Sequence, residues 1–150
     1  MPQAPPEASR KVLYSPEILA AAVGLADFPI DRSWSRSGEA RSRSCGSTLT
    51  LALALDGQGR VLRSGCRAQA CAVGQAAAYV FLAAATGRTG KEIATARESL
   101  AAWLTGAGSV PDWPGIALLE PARNYPARHG AILLAWDAAL AALASPPPLR

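Results

Sequence analysis

An α+β fold, with a small antiparallel sheet and helices packed on one of its faces, is predicted from three observations. The segment TLTLALAL, residues 48–55, alternates strictly, so Leu49, Leu51, Leu53 and Leu55 share one face, the signature of a half-buried strand. DGQG follows, a turn of the kind that joins antiparallel strands, and RVLRSGCRA returns as the second arm of a hairpin. Two alanine-rich runs downstream, CAVGQAAAYVFLAAATG and HGAILLAWDAALAALAS, carry apolar residues at helical spacing. The order is therefore helix, antiparallel strands, then helices, which places the helices together on one side of the sheet.

Each element has its own signal. SPEILAAAVGLA offers Ser15 as N-cap, Pro16 at the first helical position and Glu17 in the first turn, so a short helix starts at Pro16. From Ser33 to Ser44 the composition turns to Ser, Arg and Gly, which predicts an exposed edge strand or loop carrying Arg36, Arg41 and Arg43. On the returning strand Leu62, Ser64, Cys66 and Ala68 are expected to share one face. Cys71 falls where that strand gives way to a helix closed by Gly87. Thr89 with Glu92 and Thr95 with Glu98 read as two capping boxes, so a short turn and then a helix ending near Gly106 are expected. PDWPG is a loop, and the terminal helix stops at a proline run.

With 150 residues, half of them apolar, the chain buries one core and forms one domain. That domain is expected over residues 13–144, with residues 1–12 a flexible tail and 145–150 a Pro-rich tail. Aromatics are only 6%, so close-packed alanine helices must supply most of the interior. The net charge of +4 comes almost wholly from dispersed arginines, a weak pattern for nucleic acid, and none is expected as a partner. The start MPQAPPEASRK lacks the apolar stretch of a secretory signal, and the longest apolar run is alanine-rich, short and interrupted by Gln75. A cytoplasmic location and no membrane association are expected.

Three cysteines, an odd number in a reducing compartment, leave metal binding, redox chemistry or burial as their roles. Cys45 precedes the first strand of the hairpin and Cys71 follows the second, so antiparallel pairing brings them to one end of the sheet. Cys71 also lies at a helix N-terminus, where the partial positive charge favours thiolate. Cys66 lies within the hairpin and reads as a buried apolar side chain. Trp34, Trp103, Trp113 and Trp136 read as core or rim packing. Arg36, Arg41, Arg43 and Arg128 form either a basic surface around the thiols or a solvated edge. No phosphate-cradling glycine loop, HExxH or GxSxG elbow is present.

From Leu13 to Ala144 the chain resembles the iron-sulfur cluster scaffold proteins of the NifU, IscU and SufU group, of SufE/NifU-like fold. LYSPEIL resembles the group's opening helix, CGSTLTLALALDGQGRV its CGD segment and hairpin, and RAQACAVGQAAA its GCGxAxxxAS segment. TGRTGKEI is similar to its GKT-type helix start, and PARNYPARHGAILLAWDAALAAL to the SufU ending in which a PxRxxC segment enters a terminal helix.

The resemblance implies a metal or nascent cluster held by three cysteines and an aspartate, with a histidine beside the third cysteine in some branches. Cys45 and Cys71 stand at the first two cysteine positions. Ser47 stands where the pattern has aspartate, and Ala131 where it has the third cysteine. His129 is two residues earlier, and a one-residue shift at Gly130 brings it to the group's histidine position; it is otherwise an exposed or capping residue of the last helix. Two thiolates and one imidazole leave tetrahedral zinc one ligand short and a 2Fe-2S cluster short of its usual four, because a neutral serine hydroxyl is a poor ligand for either.

The resemblance implies a non-enzymatic scaffold or carrier that binds iron, sulfur or zinc through Cys45, Cys71 and His129. A transient iron-sulfur cluster or zinc is its cargo or cofactor, and a cysteine desulfurase and recipient apoproteins are its partners. The alternatives are a binding or regulatory module of the same fold that holds zinc or touches the desulfurase, and a thiol redox protein cycling a Cys45–Cys71 disulfide.

Overall fold

A computed structural model describes residues 13–144; the stretches 1–12 and 145–150, expected to be tails, lie outside the described residues. The elements follow the anticipated order. Helix α1 (Pro16–Gly24) begins where expected, with the Ser15 hydroxyl accepting from the Ile18 N–H at 3.1 Å. Three strands follow, β1 (Arg36–Arg41), β2 (Thr48–Leu55) and β3 (Val61–Gln69), in an antiparallel sheet of order β1-β2-β3. Helices α2 (Ala72–Ala85), α3 (Gly90–Leu104) and α4 (His129–Ala144) complete the fold, with 3-10 segments at Leu25–Asp27, Ile116–Asn124 and Pro126–Arg128.

The leucine alternation on β2 sets the inner face. Leu49, Leu51 and Leu53 are buried and pair across the sheet with Ala68, Cys66 and Ser64 of β3 and with Ala40, Gly38 and Arg36 of β1. Helix α4 lies over β1 and β2 and packs on α2 and α3. Its approach to β1 is so close that a Cβ at Gly38 would run into the backbone nitrogen of Ala142 and the carbonyl oxygen of Ala138, which makes glycine a packing requirement there. The alanines of α2 and α4 serve the same end, since small side chains let backbones come together. Phe81, Trp113 and Trp136 supply the bulk, with ring centroids 5.2 to 5.5 Å apart.

Two expectations are corrected. Leu62 does not share the Cys66 face: it is 52% exposed, while Val61 is buried at 1%. The cause is a bulge, because β3 loses register between Ala54 and Leu55 and Leu55 pairs with Val61, and an inserted residue reverses which side chains point inward. Thr95 and Glu98 cap nothing. They lie inside α3, which runs unbroken from the Thr89 box, where the Thr89 hydroxyl accepts from the Glu92 N–H at 3.2 Å. PDWPG is a loop, as expected, and it leads into the 3-10 segment Ile116–Asn124, with Pro121 inside it.

The stretch Pro126–Ala144 is long and apolar enough to cross a membrane by length and composition alone. Its packing makes it a core helix: Ile132, Leu134, Trp136 and five alanines of α4 are buried.

Candidate functional site

The sheet's register brings two of the cysteines to one end. Arg41 pairs with Thr48, and Thr48 with Gln69, so the β1–β2 loop that carries Cys45 and the β3–α2 junction that carries Cys71 leave from the same edge of strand ends. Cys45 is exposed, Cys71 half-buried and Cys66 buried. Cys71 is the N-cap of α2; its carbonyl accepts the first helical bond, from the Gln75 N–H at 2.9 Å, and its thiol makes no capping bond. Cys66, on β3 opposite Leu51, stays out of the site, and burial pushes its thiol up to about 11.

The Cys45 loop is a tight turn. The Ser42 N–H donates to the Ser47 carbonyl at 2.8 Å, the Gly46 N–H to the Ser42 carbonyl at 3.0 Å, and Gly46 takes the left-handed conformation at φ +71° that the return requires. This geometry surrounds the sulfur with hydroxyls. Cys45 Sγ donates to Ser42 Oγ at 3.4 Å and shares a 3.0 Å bond with Ser47 Oγ in which either atom donates. Ser42 Oγ lies 3.1 Å from Ser44 Oγ, and Ser44 donates to the Ala127 carbonyl at 3.1 Å, which ties the loop to the turn before α4. Ser42 and Ser47 are only 4% and 7% exposed.

Hydroxyls that can turn their protons toward sulfur stabilise the thiolate. They bring the Cys45 thiol down to about 7, with Ser42 the largest contributor and Ser47 the next, against a smaller opposing effect of burial. Cys45 therefore joins exposure to a lowered thiol, the two conditions for nucleophilic reactivity. Composition over Ser33–Ser44 predicts only an exposed edge and gives Ser42 no role at the sulfur; the serine spacing around Cys45 is the signal that points to one.

The third side of the site is the start of α4. A Cβ on Gly130 would meet Ser42 Oγ at 2.6 Å and Ser44 Oγ at 3.4 Å, so Gly130 is the α4 position that faces the Cys45 loop. Ala131 is buried at 1%, its Cβ 3.3 Å from where a Cβ on Gly74 of α2 would lie. His129 stands at the first residue of α4 with Nε2 3.1 Å from the Arg123 carbonyl, and its ring lines a cleft with Leu104, Gly106, Glu120 and Asn124. Among the described residues no three His, Cys, Asp or Glu side chains are grouped so as to hold a metal ion. Two thiols and three neutral hydroxyls do not make the closed four-ligand set of a structural zinc.

The arginines divide. Arg41 and Arg43 are exposed at the cysteine end of the sheet, and Arg128 donates to the Tyr14 hydroxyl at 3.2 Å. Arg36 is at the other end of β1, where Nη1 donates to the Leu143 carbonyl at 3.1 Å, so it is no part of a surface around the thiols.

With this geometry in place, solved structures supply the comparison. A nitrogen-fixing NifU-like protein (N-terminal part) from Brucella abortus aligns with a TM-score of 0.81 at 28% identity, over 90% of this chain and 94% of its own. An iron-sulfur cluster assembly scaffold protein for the SUF system (FiSufU) from thermophilic Fervidobacterium islandicum AW-1 aligns at 0.76 and 24% identity, over 89% of this chain and 98% of its own. This chain has the fold of these two structures. A hypothetical protein with the same fold aligns at 0.63 and 17% identity, over 84% of this chain and 96% of its own. No protein-family model and no curated protein matches the sequence. The chain keeps the α+β architecture of these neighbours over nearly all its length while carrying serine at 47 and alanine at 131.

Proposed function

We propose that the chain is a scaffold or carrier in iron-sulfur cluster assembly, a protein that moves cargo and is not itself an enzyme. Sulfur is received on Cys45, iron is held between Cys45 and Cys71, and the product passes to recipient apoproteins. A cysteine desulfurase supplies the sulfur, and the cytosol, where thiols stay reduced, is the place of work. One observation carries this reading: an exposed thiol brought down to about 7 by serine hydroxyls lies at the same end of the sheet as a second thiol at a helix N-terminus. The fold neighbours, one of them an iron-sulfur scaffold by description, support it.

His129 adds a third donor when its ring leaves the Arg123 carbonyl; in its present place Nε2 is engaged there. The remaining ligands come from the cargo or a partner. A second reading is favoured by Ser47 and Ala131, since a site with two thiolates suits a module that has kept the fold, touches a desulfurase or holds zinc weakly, and assembles nothing.

Metal and sulfide analysis of protein purified without oxygen tests both. Iron with acid-labile sulfide, lost in Cys71→Ala, is expected. Zinc alone points to the second reading, and neither metal with a reversible Cys45–Cys71 disulfide points to a thiol redox protein.

A further inference from the structure

The helices cover one face of the sheet. In β1 the half-buried residues are Arg36, Gly38 and Ala40, and Gly38 is the one α4 touches, so Ser37, Glu39 and Arg41 point from the opposite face. The register carries that face across the strands. Arg41 stands in a row with Thr48 and Gln69, Glu39 in the next row with Thr50 and Arg67, and Ser37 in a third with Ala52 and Gly65. The third row is closed: Ala52 is 3% exposed, and a Cβ on Gly65 would run into the Pro29 carbonyl, so the segment after α1 lies across it, held by the Cys66 N–H donating to the Phe28 carbonyl at 2.9 Å. The first two rows are open, with Glu39, Arg41, Arg67 and Gln69 exposed. The fold thus leaves uncovered the half of the face that borders the Cys45 loop and the β3–α2 junction of Cys71.

This half-face is basic. The outer strands β1 and β3 lie about 10 Å apart across β2, and each presents one arginine, Arg41 and Arg67, with Arg43 exposed in the loop beyond. The strands carry a single carboxylate, Glu39. Among the described residues the ion pairs are made by Arg60, Arg88 and Arg97, and the guanidinium groups of Arg41, Arg43 and Arg67 take part in none. Helix α2 begins just past Gln69, and its N-terminus adds partial positive charge.

We propose that this open half-face is a docking surface for an acidic patch on a partner protein, whose carboxylates pair with Arg41, Arg43 and Arg67 while its reacting groups reach the thiols. This rests on the carrier reading above and adds the chemistry by which an exchange partner is recognised. A guanidinium fork takes a carboxylate through two parallel hydrogen bonds, and Thr48, Thr50 and Gln69 offer neutral polar groups between the charges. Glu39 favours a protein over a nucleic acid, since a carboxylate among the arginines repels a continuous run of phosphates but accepts a cation set among a partner's carboxylates. Two rows of a three-stranded sheet make a small contact, so binding is transient and salt-sensitive, with charge raising the rate of encounter. A carrier has to release its partner after each exchange, and such a contact permits that.

Amide chemical-shift mapping on the full chain tests this with two probes, a decaglutamate peptide and a short DNA duplex. Decaglutamate should shift the amides around Arg41, Arg43 and Arg67 at low ionic strength and be released at about 0.5 M salt. Arg41→Gln/Arg67→Gln should weaken its binding at least about fivefold, whereas Arg32→Gln/Lys91→Gln, which removes the same charge from two exposed sites elsewhere, should change it by less than about twofold. Equal weakening in both double variants overturns the proposal, because the peptide then reads only net charge. Shifts confined to other arginines overturn it, and so does a duplex that moves the same amides at lower concentration than decaglutamate. Iron and sulfide in Arg41→Gln/Arg67→Gln purified without oxygen should match wild type; a lower content would place these arginines in the thiol site and overturn the docking role. A failed docking result therefore leaves the carrier reading standing, while wild type that holds neither iron nor sulfide removes that reading whatever the peptide does.

Discussion

Replacing both Ser42 and Ser47 by alanine should shift the pH profile of Cys45 alkylation in a way that can be worked out beforehand. The thiol sits at about 7 because two hydroxyls donate to its anion, so without them it should return toward the ordinary cysteine value of about 8.5. At pH 6 the thiolate fraction then falls from about 9% to about 0.3%, a factor of about 30. A more basic thiolate is a better nucleophile, and a Brønsted slope of about 0.4–0.5 over about 1.5 units returns a factor of about 5. The net loss at pH 6 is about sixfold and at pH 7 about threefold, the profiles cross near pH ~8, and above pH ~9 the variant reacts about fivefold faster. The sign follows from the lowered value: wild-type reactivity is full above 7 and is lost as the pH falls through it. Iodoacetamide labelling, read peptide by peptide across pH 5.5 to 9.5, gives the midpoints. Ser42→Ala alone should move the midpoint further than Ser47→Ala, as Ser42 is the larger contributor. Parallel profiles with one midpoint would refute the reasoning, because the serines would then be shaping access to the sulfur and not its charge.

Three further outcomes are expected. Gly38→Ala should lower the unfolding free energy by at least about 2 kcal/mol, read by chemical denaturation, because the new methyl meets the backbone of α4 and not a side chain that can turn aside; an unchanged midpoint would contradict the close approach of β1 and α4. Cys66 should label in the native protein far more slowly than Cys45 at pH 7, and unfolding in denaturant should remove the difference; fast native labelling would be inconsistent with its burial beneath the sheet. Gly130→Cys should tighten zinc binding at least tenfold, about 1.4 kcal/mol, since only Ser hydroxyls must yield to it, and competition with a chromophoric chelator measures the change; unaltered affinity would mean that Gly130 does not face the metal position.

Much of the scaffold is legible along the chain because its signals are local. The leucine alternation of β2 states which face is inside, Ser15 and Thr89 state where two helices begin, and the glycine after α2 states where it stops. That Cys45 and Cys71 lie at the same end of the sheet follows from antiparallel pairing, since a hairpin of known ends has only one way to bring them round. The resemblance of five segments in order supplied the fold that the solved neighbours share.

What tertiary structure decided is of another kind. A one-residue bulge put Val61 inside and Leu62 out, an effect invisible to alternation because alternation assumes the register it tests. Composition over Ser33–Ser44 predicts an exposed edge, yet Ser42 is buried beside the sulfur, because Ala127 and Gly130, more than 80 residues away in the chain, close over the loop. That closure turns a thiol in a polar loop into a thiolate site. Which α4 residue faces the Cys45 loop, and that His129 turns its ring to the Arg123 carbonyl, depend on the rotation of α4 about its own axis. The sequence by itself determined which elements form and where the two cysteines lie in them, for periodicity and caps act over a few residues. Only the packing of α4 against the sheet decided the chemistry around Cys45, because hydrogen bonds to a sulfur are made by whatever the fold brings within about 3.5 Å, near or far in sequence.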